Sequence, residues 1–101
     1  MEIQTQNITI EYAKQLLDGH VNKRPLSEMM VNEMVSDIID DSYSPKNAYI
    51  AIDSNGKLIY GQHILNAIIK SNKQVDVNVV KLADGEKTPL GGFNINSKYK
   101  Y

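Results

Sequence analysis

The residues best suited to chemistry stand together at Gly61-Gln62-His63, where a strand-like run, Lys57-Leu58-Ile59-Tyr60, gives way to a helix-like one. A strand that passes through a glycine into a helix presents free backbone N–H groups at the helix N-terminus, and these suit an anion such as phosphate. Gly61 permits both a tight turn and close approach of a ligand. Arg24, just ahead of Pro25, reads by itself as a surface loop charge. The candidate phosphate-binding residues of this turn are therefore Gly61, Gln62 and His63. His63 has no partnered base or metal ligand in sequence, so its simplest role is a helix-start residue with a satisfied hydrogen bond.

Other chemistry has no carrier. The chain holds no Cys, which excludes a disulfide scaffold, a thiolate zinc site and a cysteine nucleophile. It has no Walker loop, dinucleotide glycine fingerprint, pair of His at metal-ligand spacing or nucleophile elbow. Asp40 and Asp41 are adjacent, so on a helix their side chains diverge. No catalytic residue and no metal ligand is assigned, and no cofactor is expected beyond a nucleotide retained at the Gly61 turn.

The elements that must position these residues are legible in the patterning. Thr9 can cap a helix through Ile10–Leu17 that stops at Gly19. After a loop over 20–25, Ser27 can cap a second helix. There Met30, Val31, Met34, Val35, Ile38 and Ile39 recur at helical spacing and face inward. Glu28, Glu33, Asp37 and Asp40 lie between them and are expected outward, as a solvated face or as a contact for a basic partner. Ala48 to Ile52 and Lys57 to Tyr60 flank the turn residues Asp53-Ser54-Asn55-Gly56, which predicts a hairpin. Gln62 to Lys70 reads as a third helix, with Leu65, Ile68 and Ile69 inward and Asn72 at its end. Val75, Val77 and Val79 alternate with polar residues as in a half-buried strand, which Val80 and Leu82 extend. The order is helix, helix, hairpin, helix, strand, followed over 83–101 by an irregular or edge-strand tail.

The bulk numbers agree with one domain over 1–101. At 101 residues, 42% hydrophobic and 23% charged, the chain can form a single core and little more. Its net charge of −1 divides into −4 over residues 1–50 and +3 over 51–101, so only the C-terminal half leans basic. A nucleic-acid binder usually shows a clearer excess of Lys and Arg. The apolar runs are far shorter than a membrane span, and Met1-Glu2-Ile3-Gln4 opens no signal-peptide pattern. A cytoplasmic location without a membrane partner is expected.

The segment from Ile52 through Tyr60-Gly61-Gln62-His63-Ile64-Leu65 to Ile68 resembles the centre of ParB/sulfiredoxin-like domains, particularly small phage and mobile-element members. There it commonly reads as an acidic turn, then Leu-Ile-Asp-Gly-Gln-His-Arg-Leu. Ile8 to Leu17 with Asn22-Lys23-Arg24-Pro25-Leu26 resembles the family's opening helix and Asn-Arg loop, and Ser71 to Lys81 its following turn and strand. The likeness spans roughly residues 8 to 82. It implies an α+β fold, about three helices on a small mixed sheet with a β-hairpin, and nucleotide binding at the glycine turn, where Arg24 would join Gly61, Gln62 and His63 as a phosphate contact through its guanidinium.

The sequence departs from that pattern at the charged positions. Ile64 stands where Arg is expected, Tyr60 where Asp is expected, and Gln62 where sulfiredoxins place their Cys. Losing a charge-assisted contact costs about 1.5–3 kcal/mol. Sulfiredoxin chemistry is thereby excluded. The expected function is a non-enzymatic interaction or regulatory protein of phage or mobile-element type. Its partner would be a protein of the host's DNA-handling or defence machinery, for example a CRISPR effector. The alternative is a nucleotide- or DNA-binding module that keeps residual phosphate binding at Gly61-Gln62-His63.

Overall fold

The computed structural model describes residues 2–19, 26–45 and 48–84. They form an α+β fold of three helices and a four-stranded mixed sheet. In chain order the elements are β1 (Glu2–Ile8), α1 (Ile10–Asp18), α2 (Glu28–Ile39), β2 (Tyr49–Ile52), β3 (Leu58–Tyr60), α3 (Gln62–Ser71) and β4 (Val75–Lys81). The tail beyond Asp84 lies outside the described residues.

Local chemistry sets the helix boundaries. The Thr9 hydroxyl accepts from Tyr12 N–H at 3.1 Å, and the Ser27 hydroxyl accepts from Met30 N–H at 3.3 Å. Each satisfies one of the N–H groups that a helix start leaves without a partner. Asn72 ends α3 in the left-handed conformation, with φ 58°. In the hairpin, the Asp53 carboxylate accepts from Asn55 N–H and Lys57 N–H, both at 2.9 Å, while Gly56 takes φ +79°.

The sheet order is β1-β4-β2-β3. Strand β4 is central: it runs antiparallel to β1 over all seven residues, from Glu2↔Lys81 to Ile8↔Val75, and parallel to β2 from Tyr49↔Asn78 to Ile52↔Lys81. A bulge between β2 and β3 skips Ile59, so Leu58 faces Ile52 and Tyr60 faces Ala51.

The opening strand was not expected from the sequence, which placed a helix first and drew Ile8 towards it. Residues 2–8 contain only Ile3 and Ile8 as apolar residues, at positions of opposite parity, so no period-two signal exists. Pairing with β4 specifies this strand, and the two lie some seventy residues apart in the chain.

One face of the sheet packs against all three helices. Ile8, Ile50, Ile52, Leu58, Val77 and Val79 meet Ala13 and Leu16 of α1, Val31, Met34 and Ile38 of α2, and Ile64, Leu65, Ala67 and Ile68 of α3. On the other face Tyr49, Ala51, Val80 and Leu82 form a smaller buried cluster with Ile59 and Tyr60 against it. Tyr49 and Tyr60 stack there, ring centroids 4.9 Å apart. Burial on both faces explains why Val80 and Leu82 break the alternation set by Val75, Val77 and Val79.

Helix α2 departs twice from its expected sidedness. Ile39 is 54% exposed, because it lies beyond the stripe formed by Val31, Met34 and Ile38. Asp37, expected on the solvated face, is buried. The chain reverses across it: the Asp37 carbonyl accepts from Ser42 N–H at 2.9 Å and Tyr43 N–H at 3.1 Å, so the 41–43 turn covers the end of the helix. Glu28, Glu33 and Asp40 are exposed as expected.

Candidate functional site

The Gly61 turn begins where β3 ends. Gly61 takes φ +117° and ψ 23° as the residue preceding α3, a conformation that side chains rarely adopt. Its missing side chain has a second role. A Cβ at this position would lie 2.5 Å from Ile50 Cγ2 and 2.9 Å from Ile50 Cα, on the neighbouring part of β2. The close approach that this glycine permits is therefore made by the protein's own sheet.

The next residues continue the same theme. Ile64 is fully buried in the principal core. An aliphatic side chain at this position belongs to the packing of α3 against the sheet and the other helices. Gln62 is buried as well, and its carbonyl accepts from the Asn66 amide at 2.7 Å. Leu65 N–H donates to the Gly61 carbonyl at 3.4 Å, closing the first turn of α3.

His63 is half-buried and faces the start of α2. Its Nε2 accepts a hydrogen bond from Ser27 N–H at 3.0 Å. One histidine thus reaches from the first turn of α3 to the N-cap residue of α2, and Ser27 in turn caps that helix with its hydroxyl. Acceptance at Nε2 requires that nitrogen to be unprotonated. Burial pushes the imidazole below its ordinary pKa, which favours the neutral form that this contact needs.

The structure therefore brings Gly61, Gln62 and His63 together at one helix start. Arg24, the fourth candidate for the phosphate site, lies outside the described residues, as does His20. Of the four acidic residues proposed for a partner, Glu28, Glu33 and Asp40 are exposed and Asp37 is not. Glu28 lies 3.8 Å from the Lys70 ammonium, which also donates to the Asn32 side chain at 2.6 Å. Both ends of this ion pair are largely solvated, so its worth is small.

Sequence reasoning missed two participants. The sequence marks Ser27 as a cap, but nothing local foretells its bond to a side chain 36 residues away. Met29 was not singled out, yet it is 81% exposed, and Leu26 nearby is 38% exposed. Met29, Glu33, Ser36 and Asp40 recur at helical spacing and are all exposed, so they make one solvent-facing stripe. A count of helical angles would have shown Met29 on the polar side of α2.

Elsewhere, an open cleft at the hairpin end of the sheet is bounded by Glu2, Ser54, Lys81, Leu82 and Ala83 and includes none of the motif residues. Among the described residues no three His, Asp or Glu are grouped to hold a metal ion, and no helix is long and apolar enough to cross a membrane.

The chain matches no family model, no curated protein and no solved structure. The features of its turn must accordingly be read on their own physical terms.

Proposed function

We propose that this protein acts by binding a protein partner, on a ParB-like scaffold whose phosphate-handling turn has been converted into packing. The observation that carries this reading is the use made of the motif. Gly61 makes room for Ile50, Ile64 fills the core, and His63 ties α3 to the start of α2. At these three positions, the space, the charge or the hydrogen bond that a nucleotide-binding turn would offer is replaced by a contact within the protein.

The contact surface in this reading is the outer stripe of α2. It combines the apolar Met29 with the carboxylates of Glu33 and Asp40; Leu26 and Glu28, just ahead of Met29 in the chain, are exposed as well. An exposed apolar side chain among like charges suits a basic surface with an apolar socket. The resemblance to small phage and mobile-element proteins supports a partner in the host's DNA-handling or defence machinery.

The test has two arms. Thermal unfolding of the full chain with nucleoside triphosphates, Mg²⁺ or short DNA duplexes should show no stabilisation, because ligands stabilise only by binding the native state. Capture from a host extract should retain a protein that the double variant Glu33→Lys/Asp40→Lys loses. A clear rise in Tm with a nucleotide or DNA would overturn the reading. So would capture that ignores the charge reversal.

A second reading, a nucleotide- or DNA-binding module, draws on one observation. Gly61 gives α3 no side-chain cap, unlike Thr9 and Ser27 at the other two helices. Its mark would be a nucleotide-dependent rise in Tm that is lost on replacing Arg24.

A further inference from the structure

Strand β1 is an edge strand with unusual properties. It pairs with β4 on one side through seven residues without a bulge, and among the described residues no strand pairs with its other side. Glu2 through Asn7 are all exposed, and among the described residues the outward N–H and C=O groups of this edge meet no partner strand. Exposed edges are normally blunted by Lys, Pro, a bulge or short length. Here the strand is Glu-Ile-Gln-Thr-Gln-Asn-Ile, with no Lys, Pro or Gly and a single charge at its end.

From this edge we infer that the protein associates with a second copy of itself by antiparallel pairing of β1 with β1 about a two-fold axis at Thr5. Two-fold pairing requires a strand complementary to its own reverse. The central Gln4-Thr5-Gln6 reads the same in both directions. In this register Thr5 faces Thr5 of the second copy, and each Gln4 faces a Gln6. Thr–Thr pairs and amide pairs are favourable cross-strand neighbours. The charge placement agrees. Glu2 of one copy lies opposite Ile8 of the other, which keeps the two Glu2 carboxylates roughly 20 Å apart along the strand. At that distance their repulsion is screened at ordinary salt. The two four-stranded sheets become one of eight strands.

Gln4 and Gln6 are the positions for a test, since both are exposed on the strand and oppose each other in the proposed pairing. The proteins to compare, as full chains by sedimentation equilibrium from micromolar to millimolar concentration, are the wild type, Gln4→Lys/Gln6→Lys and Gln4→Lys/Gln6→Glu. The wild type should show a monomer–dimer equilibrium. The double-lysine variant sets Lys against Lys in two cross-strand pairs and should raise the dissociation constant about tenfold. The mixed variant sets Lys against Glu in both pairs and should associate at least as tightly as the wild type. Circular dichroism of both variants at low concentration should match the wild type, which separates loss of association from loss of folding. A wild type that stays monomeric throughout would overturn the inference. A dimer equally tight in all three proteins would do the same.

Discussion

The imidazole of His63 accepts a hydrogen bond from the backbone N–H of Ser27, and this contact links the N-termini of α2 and α3. The bond crosses between two helices that each bury an apolar face in the same core. It gives a half-buried polar side chain a partner and does the same for a backbone donor at a helix start, where donors are otherwise left over. Replacing His63 with Ala should cost about 1–2 kcal/mol of stability in urea unfolding, whereas His63→Gln, which retains an acceptor, should cost less.

The same contact makes stability depend on pH. Burial holds the folded-state pKa of His63 below its ordinary value of 6.5. The unfolded chain then binds more protons in the interval between the two values, so stability rises with pH there. The contribution is fully present above about pH 6.5 and is lost as the pH falls through the folded-state pKa. The difference in unfolding free energy between wild type and His63→Gln should accordingly narrow on acidification from about pH 7 to pH 5. A constant difference across that range would show that His63 does not titrate as described.

Gly61→Ala should be strongly destabilising. The new methyl would meet Ile50 at 2.5 Å, and the backbone would still need φ +117°. Strain of this kind costs about 1–3 kcal/mol and overpacking a further 1–3 kcal/mol. A midpoint of denaturation close to that of the wild type would contradict the packing described for the turn. The double variant Gly61→Ala/Ile50→Ala should not rescue the protein, because Ile50 Cα and Cβ would still lie 2.9 Å from the new methyl and a fully buried side chain would be lost from the core.

Restoring the expected arginine should not restore a binding site. Ile64 has no exposed surface, so Ile64→Arg would put a guanidinium in the core. An unpaired buried charge is among the few changes that remove more than about 4 kcal/mol. The variant should be largely unfolded by circular dichroism and gain no protection from nucleoside triphosphates. A folded Ile64→Arg protein stabilised by a nucleotide would favour the nucleotide-binding reading.

Tyr43 tests the segment that covers Asp37. Its hydroxyl donates to the Asp76 carbonyl at 2.8 Å, and burial together with the Asp76 carboxylate raises its pKa well beyond the ordinary tyrosine range. Tyr43→Phe should therefore cost about 1 kcal/mol. It should also abolish the tyrosinate absorbance change that appears only at the most alkaline pH.

What could be read in the sequence was whatever depended on near neighbours. Thr9, Ser27 and Asn72 act within a few residues of themselves, and so do Asp53 and Gly56, so the helix boundaries and the hairpin were legible. The stripe on α2 was legible at its centre but not at its margins, where Ile39 and Asp37 depend on where the stripe's edge falls and how the chain turns afterwards. Strand β1 was illegible because its partner lies at the other end of the described chain and its own side chains are almost all polar. At the candidate site the glycine and the helix start were legible. That Ile50 occupies the space beside Gly61, and that His63 reaches Ser27, follows only from packing between elements distant in sequence.

The position of β4 at the centre of the sheet bears on how the chain is made. Both of its neighbours precede it in the sequence, so during synthesis β1 and β2 must wait for β4 to leave the ribosome. Until then only the helices and the short β2–β3 hairpin can form, and the seven-residue β1 is an unpaired segment with strand propensity but no sheet to join. Ribosome-stalled chains that end before Val75 should be open to protease along their first residues. Release of a chain long enough to expose Lys81 should close that window in one step.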